Sequence, residues 1–317
     1  MTARFFDVHI NEFAIGMGPK IFSRKSKKNG IVYSLRLLPI GGFVSMVGED
    51  EDSDDERALC KKPVWQRIII TGAGSAMNII CGVLLSFVMI VSTPVIGGTT
   101  VASFSDNAVS QSSGLSVGDK IISIDGAKTS ISTQVVYEIS RCTSGAVDIE
   151  VIRDEKTLTI KDVNFGQETD NGIVFGVCDF KIIAESKSPL NVIKHTWHTS
   201  MLSVKMIWQS LGDLITGKYG MEAVSGPVGV TGTITTVAKE STVSLIYLCS
   251  VIAMNLGIFN LLPVPALDGG RIFFQLIEMI FRRPISRKLE AAIHMVGIIV
   301  LFAFMFIITF KDIIALF

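Results

Sequence analysis

Apolar and polar positions divide the chain into lipid-like and water-like stretches. Three segments stay apolar long enough to cross a bilayer, which takes roughly 20 helical residues. They are residues 68–98, without a charge; residues 241–267, also without one; and residues 291–310, where His294 is the one histidine. Between the first two the pattern shortens to that of strands. Residues 99–165 read as soluble and β-rich: Val117-Gly118-Asp119 marks a turn, and Ile121, Ile122 and Ile124 a short strand. Asp125-Gly126 is a hairpin signal, 133–140 suits a short helix, and two strands flank Arg153-Asp154-Glu155-Lys156.

Residues 11–48 show short apolar runs punctuated by Gly16, Gly18, Pro19, Pro39, Gly41 and Gly42. Residues 31–38 and 42–47 read as strands and the polar 25–30 as a turn, a β-hairpin-like element lying against or dipping into the membrane. Residues 49–56 are an acidic run, read as a solvated loop. From 189 to 216 apolar residues return every three or four positions, at Leu190, Ile193, Trp197, Met201, Val204 and Trp208. That helix either lies at the membrane surface or packs on the soluble domain.

Composition agrees with the pattern. Of 317 residues 49% are hydrophobic and 18% charged, which implies an integral membrane protein, and the net charge of zero argues against nucleic acid as a partner. The cysteines at 60, 81, 142, 178 and 249 show no paired spacing, so neither a disulfide framework nor a thiolate zinc site is expected. The first residues lack the pattern of a secretory signal peptide. Basic residues cluster before the first span (Lys20, Arg24, Lys25, Lys27, Lys28, Lys61, Lys62, Arg67) and between the last two (Arg271, Arg282, Arg283, Arg287, Lys288). With three spans both groups fall on one side, which the positive-inside rule makes cytoplasmic, and the β-rich domain then faces outward.

Against this background Asp268 stands out. It follows Asn260-Leu-Leu-Pro-Val-Pro-Ala-Leu, with no earlier charge back to Glu240. An ionisable group beside a span costs several kcal/mol unless compensated, which makes it a candidate functional residue. Pro263, Pro265, Gly269 and Gly270 interrupt the helix there. Broken backbone at membrane depth requires cover from protein or a water-filled cavity. A buried polar site holding a cation is the expectation.

The segment 260–270 resembles the Asp-Gly motif of the site-2 proteases, intramembrane zinc metalloproteases, and specifically their RseP-type branch. Asn11-Glu-Phe-Ala-Ile-Gly-Met-Gly-Pro is similar to the segment after that family's first membrane helix, and Pro39-Ile-Gly-Gly-Phe-Val to its membrane-associated β-loop. Gly74-Ser-Ala-Met-Asn78 resembles its Gly-x-x-x-Asn element, with Ser75 where proline is common. Residues 114–126 resemble its extracytoplasmic PDZ domain, and 225–229 a loop before its third helix. The resemblance implies a helical membrane bundle carrying a membrane-associated β-loop and an inserted extracytoplasmic PDZ-like β domain. Three full spans lie in this chain, and a fourth, N-terminal one is expected to be missing. The implied location is a bacterial inner or cytoplasmic membrane.

The resemblance also implies roles. Asp268 is the third ligand of a catalytic Zn2+, beside two histidines and a general-base glutamate of a His-Glu-x-x-His helix. Asn260 and Asn255 either contact the substrate backbone or carbonyl or make interhelical hydrogen bonds. Asn78 packs near the catalytic helix; Gly74, Pro263, Pro265 and Gly269 belong to the motifs around it. No His-Glu-x-x-His occurs in the sequence, whose histidines are His9, His195, His198 and His294, so the chain is expected to start just after its own catalytic motif. His195 and His198 read as surface residues and His294 as a packing or hydrogen-bonding residue.

The implied activity is zinc-dependent intramembrane endoproteolysis of single-span membrane proteins, of anti-sigma-factor or remnant-signal-peptide type. The alternatives are an inactive remnant or a non-catalytic membrane binding protein. A PDZ-like fold either captures peptide termini by strand addition or acts sterically. The expected divisions are 1–10 (end of a membrane helix), 11–66 (β-loop and acidic loop), 67–98 (span), 99–165 (PDZ-like), 166–240 (connection with amphipathic helix), 241–270 (span with the Leu-Asp-Gly motif), 271–290 (basic cytoplasmic loop) and 291–317 (span).

Overall fold

The computed structural model describes residues 1–27, 29–49, 53–170, 173–218, 224–283 and 286–314. Lys28, the acidic residues 50–52 and the end of the 291–317 segment lie outside the described residues. The chain forms two compact units, one from 1–79 with 256 onward and one from 80–255.

In the first unit, α1 (Thr2–Phe5) leads into two long paired strands, β1 (Ile10–Lys25) and β2 (Val32–Met46). Each bends back on itself. Phe13 is registered with both Val44 and Tyr33, and Ile15 with both Gly42 and Leu35, while 20–25 pairs with 32–36. The sheet thus presents four segments where the sequence pattern suggested a hairpin of 31–38 with 42–47. Gly16 and Gly18, which punctuate the apolar pattern, both lie inside β1 at positive φ (85° and 83°). A Cβ at Gly16 would sit 2.5 Å from the Leu38 carbonyl oxygen, so glycine permits the fold-over. At the root of the sheet, Val8, Ile10, Ile31, Leu59 and Ile70 form a small core.

A 3-10 turn (Leu59–Lys61) precedes α2 (Val64–Ser92). The other helices of the first unit are the end of α7 (Thr242–Asn260), then α8 (Asp268–Phe281) and α9 (Arg287–Ile314). Helices Val64–Ser92, Thr242–Asn260 and Lys288–Ile314 are long and apolar enough to cross a membrane. Along α9 Val296, Ile299, Phe302, Phe306 and Phe310 are all exposed, a surface suited to lipid rather than water. The expected basic loop at 271–290 is helical as far as Phe281. Glycines 269 and 270 open that helix instead of ending it, and it stops where Arg282 turns left-handed (φ 52°).

The second unit holds a β domain. Its sheet runs β10 (Phe180–Glu185), β3 (Ile96–Phe104), β4 (Lys120–Ile124), β6 (Ala146–Arg153), β7 (Lys156–Asn164), with β5 (Ala127–Lys128) paired to β4. The short α3 (Val109–Ser112) and α4 (Ser132–Ser140) cover it, and β8 (Gly166–Asp170) pairs with β9 (Ile173–Val177). Along β6 the buried Val147, Ile149 and Val151 alternate with exposed Asp148 and Glu150, the period-two pattern of a half-buried strand. The two-residue turns Asp125-Gly126 and Asp154-Glu155 have positive φ at both positions, which suits the strand twist. The strand set extends past residue 165, since the edge strand β10 comes from the segment read as a connection.

The remaining helices of this unit are α5 (Pro189–Ile215) and α6 (Pro227–Glu240). Residues 227–229, expected in a loop, begin α6, with Pro227 at a first helical position where its missing N–H is harmless. Helix α5 buries its polar side and exposes Trp197 and Trp208. Tyr137 donates to Gln209 (2.5 Å), Arg141 pairs with Asp213 (2.8 Å) and Lys205 pairs with Glu138, fixing α4 to α5. Val192 packs beside Met89 and Ile90 of α2 and Val243, Ile246 and Tyr247 of α7. Lys187 donates to the carbonyls of Val91 and Thr93 (2.5 and 2.6 Å), a cation on the C-terminal end of α2. Where α2 and α7 meet in this unit, Gly82 admits Met254, and Ser86 and Ser250 share a buried hydrogen bond of 2.7 Å.

Candidate functional site

Asp268 is the first residue of α8, an N-terminal turn that favours a carboxylate electrostatically. The buried Ser75 hydroxyl donates to its Oδ2 at 3.1 Å. Gly74 lies alongside, where a Cβ would be 3.8 Å from the same oxygen. Helix α8 then descends α2 in step. Ile272 lies over Gly72, Gln275 Nε2 donates to Thr71 Oγ1 at 3.2 Å, and Glu278 pairs with Arg67 at 2.6 Å. Arg271, one turn after Asp268, pairs with Glu49 at 2.8 Å. The carboxylate therefore sits at the end of a ladder of polar contacts that fixes its helix.

The Asp-Gly-Gly sequence has a steric cause. The chain leaves α7 at Asn260 and passes through 261–267 directly against the first turn of α8. A Cβ on Gly269 would stand 2.2 Å from the Leu262 carbonyl oxygen and 2.3 Å from that of Leu261; on Gly270 it would stand 2.6 Å from the Val264 oxygen. Only glycine lets this backbone lie so close. Ala266, within the connection, takes φ 84°, a conformation that costs an L residue about 1–3 kcal/mol.

Helix α9 holds that strained connection. The Ala266 N–H donates to His294 Nδ1 at 3.1 Å, and Pro265 seats on Gly297, where a Cβ would be 2.6 Å from the proline Cβ. An apolar cavity of about 630 Å3 lies beside it, lined by Val264, Pro265, Leu267, Val296, Gly297 and Val300 among others. His294 is thus a hydrogen-bonding residue, as its isolation in an apolar span suggested.

The predicted residues are distributed as follows. Asp268, Gly74, Gly269 and Pro265 share the site, and Pro263 lies in the connection. Asn78 is half-buried one turn beyond Ser75, and Asn260 ends α7. Asn255 is exposed and belongs to the second unit. His195 departs from the expectation of a surface residue: it is 3% exposed and its Nε2 lies 3.1 Å from Glu185, because α5 turns its polar face inward. His9 pairs with Asp55 at 2.6 Å. Sequence reasoning missed Ser75, Gly270 and Gly297 as contacts. The one available signal was a glycine one turn after the only histidine of the last span.

A separate polar cluster lies in the β1–β2 sheet. Glu12 accepts from Ser34 and from Arg36 (2.9 Å) and pairs with Lys20 (3.0 Å). The Ser34 hydroxyl and the Lys20 ammonium hold its carboxyl down to about 2 against the opposing effect of burial, with Arg36 adding to them.

Catalytic zinc takes three protein ligands and an open position. Among the described residues no three of His, Cys, Asp and Glu are grouped to hold a metal ion. Asp268 alone does not fit a complete zinc centre.

Apolar spans, a β domain and a carboxylate held where a membrane helix is interrupted define an integral membrane helical protein with an inserted β domain. The sequence matches the profile of Peptidase family M50 over residues 1–304. A Clostridium perfringens protein, named as a candidate zinc metalloprotease, is 34% identical over 318 residues, covering 99% of this chain and 92% of that protein. The Regulator of sigma-W protease RasP of Bacillus subtilis is 31% identical over 392 residues, covering 96% and 91%. The Zinc metalloprotease RasP of Bacillus licheniformis is 30% identical over 396 residues, covering 96% and 92%. The chain belongs to peptidase family M50, the site-2 proteases, and the relatives above carry protease or zinc metalloprotease names.

Proposed function

We propose that this protein serves regulated intramembrane proteolysis, with single-span membrane proteins as substrates and Asp268 as one oxygen donor to Zn2+. The observation that carries the proposal is the care with which Asp268 is held. Ser75 fixes its carboxylate, three carbonyls crowd the glycines behind it, and α9 latches the connection in front. Family membership supplies the reaction class, zinc endopeptidase chemistry.

In this proposal the β domain of the second unit is a PDZ-like module outside the cytoplasm that screens substrates or takes their termini. Asn260 and Asn255 contact substrate backbone, and Asn78 supports the site from α2. A substrate helix hides its carbonyls in its own hydrogen bonds, so it unwinds before cleavage. The edge segments of the β1–β2 sheet offer backbone partners to the unwound strand.

The test is co-expression in a bacterial membrane with a single-span protein tagged on both sides. A version of the protein supplied with a His-Glu-x-x-His helix should release a fragment and the same version with Asp268→Asn should not, with both at equal abundance. Equal cleavage by Asp268→Asn removes the role of the carboxylate. One observation favours a second reading, a non-catalytic membrane binding protein: the sequence has no His-Glu-x-x-His and the described residues no grouped donors. Failure of the wild-type chain to cleave or to retain zinc, together with capture of the intact substrate, selects that reading.

A further inference from the structure

We infer that the turn between β1 and β2 is a binding site for the phosphate headgroup of an anionic phospholipid. A concave site of about 510 Å3 opens there, lined by Phe22, Arg24, Lys25, Ser26, Lys27 and Tyr33. Among the described residues its lining has three cations and no carboxylate. Among the described residues none of Arg24, Lys25 and Lys27 forms an ion pair, whereas Lys20 and Arg36, further down the same strands, are both engaged by Glu12. The charge at the turn is left over for something outside the protein.

Hydrogen bonds tie the two ends of the turn together. Ser26 N–H donates to the Ile31 carbonyl at 2.9 Å, Gly30 N–H returns to the Ser26 carbonyl at 3.0 Å, and Gly30 takes φ 69°. Strand pairing sets Arg24 opposite Tyr33 and Lys25 opposite Val32. The cations therefore share one end of the sheet with two exposed aromatic rings.

The surroundings identify the anion's source. Below the turn Ile15, Met17, Ile21, Leu35 and Leu37 are all exposed. A sheet with so much bare apolar surface requires an apolar solvent, and aromatic residues mark the level where acyl chains give way to headgroups. A basic turn above such a surface meets phosphate at the depth where a phospholipid carries it. A basic residue near an anionic membrane contributes about fivefold in binding, by the energy of a single charge at such a surface. Free phosphate shares the chemistry but not the apolar flank.

The experiment measures lipid binding to the purified full chain in neutral detergent by native mass spectrometry. The probes are short-chain phosphatidylglycerol, phosphatidylcholine of the same chains, glycerol phosphate and inorganic phosphate. Phosphatidylglycerol should be retained at least about tenfold better than phosphatidylcholine, in line with several charges acting together. The combined variant Arg24→Gln, Lys25→Gln, Lys27→Gln should abolish that preference. Arg24→Lys, Lys25→Arg, Lys27→Arg should keep it, and Lys156→Gln, a basic change on β7, should leave it unchanged. Single glutamines at 25 and 27 should each lose part of it, so a poorly folding triple variant still leaves a reading. Equal binding of the two lipids, wild-type binding by the triple variant, or equal retention of inorganic phosphate overturns the proposal. Asp268→Asn should bind lipid as wild type does, which separates this site from the proteolytic reading.

Discussion

Replacing Gly297 with alanine sets two effects of known size against each other. In a helix interior alanine is better than glycine by about 1 kcal/mol. At Gly297, however, the new Cβ would lie 2.6 Å from Pro265 Cβ and 2.7 Å from both the carbonyl carbon and oxygen of that residue. Overpacking of this kind costs about 1–3 kcal/mol. Relief by movement is restricted, because Pro265 is rigid and the next residue, Ala266, is held at φ 84° with its N–H on His294. The net expectation is a loss of about 0–2 kcal/mol, opposite in sign to propensity. Gly212 in α5 is the control: nothing lies within 4 Å of its would-be Cβ, so Gly212→Ala should gain about 0.4–1 kcal/mol. Thermal unfolding of the three proteins in one detergent reads both signs. If Gly297→Ala proves as stabilising as Gly212→Ala, the seating of the connection on α9 is wrong, and so is the account of how Asp268 is held.

Four further outcomes are expected. Ser75→Ala should cost about 1–3 kcal/mol by removing a buried donor to a carboxylate, and a double-mutant cycle with Asp268→Asn should show coupling; strict additivity would remove the contact. Glu12, held down to about 2 from 4.5 by Ser34, Lys20 and Arg36 against burial, stabilises the fold fully above about pH 4.5. That contribution fades as pH falls towards 2, so Glu12→Gln should flatten the acid limb of a melting-temperature profile; an unchanged limb counts against the cluster. Asp119, 0% exposed, accepts from the one-third-exposed Arg153 at 2.6 and 2.7 Å and from the Ser116 N–H at 2.8 Å, and Arg153→Met should destabilise the β domain by about 1–3 kcal/mol in denaturant titration, an unchanged stability counting against the pair. Trp197 and Trp208, exposed on α5, should be quenched by lipids brominated high on their chains more than by an aqueous quencher; the reverse places that face in water.

Much of the fold was legible because its signals are local. The three spans need only length and apolarity, and the turns at 125–126 and 154–155 need only backbone preferences. Asp268 could be singled out because a charge beside apolar residues is conspicuous without any partner. Several departures from the sequence pattern concern glycine and proline, which punctuate it without ending an element. Gly16 and Gly18 instead let a strand fold over, Pro227 starts α6, and Gly269 and Gly270 start α8. A glycine signals either a break or a close approach, and the sequence does not say what approaches.

The amino-acid order by itself determined the solvent each segment must meet, the β-rich character of the insertion, and the acidic residue that stands out beside an apolar span. These depend on transfer free energies and backbone preferences that belong to single residues and their neighbours. Only the tertiary structure decided that Ser75 orients Asp268, that His294 and Gly297 hold the connection before it, and that α5 turns His195 inward and its tryptophans out. Such pairings join positions up to 193 residues apart, where the choice of partner is set by packing of the whole chain rather than by any preference written at either end.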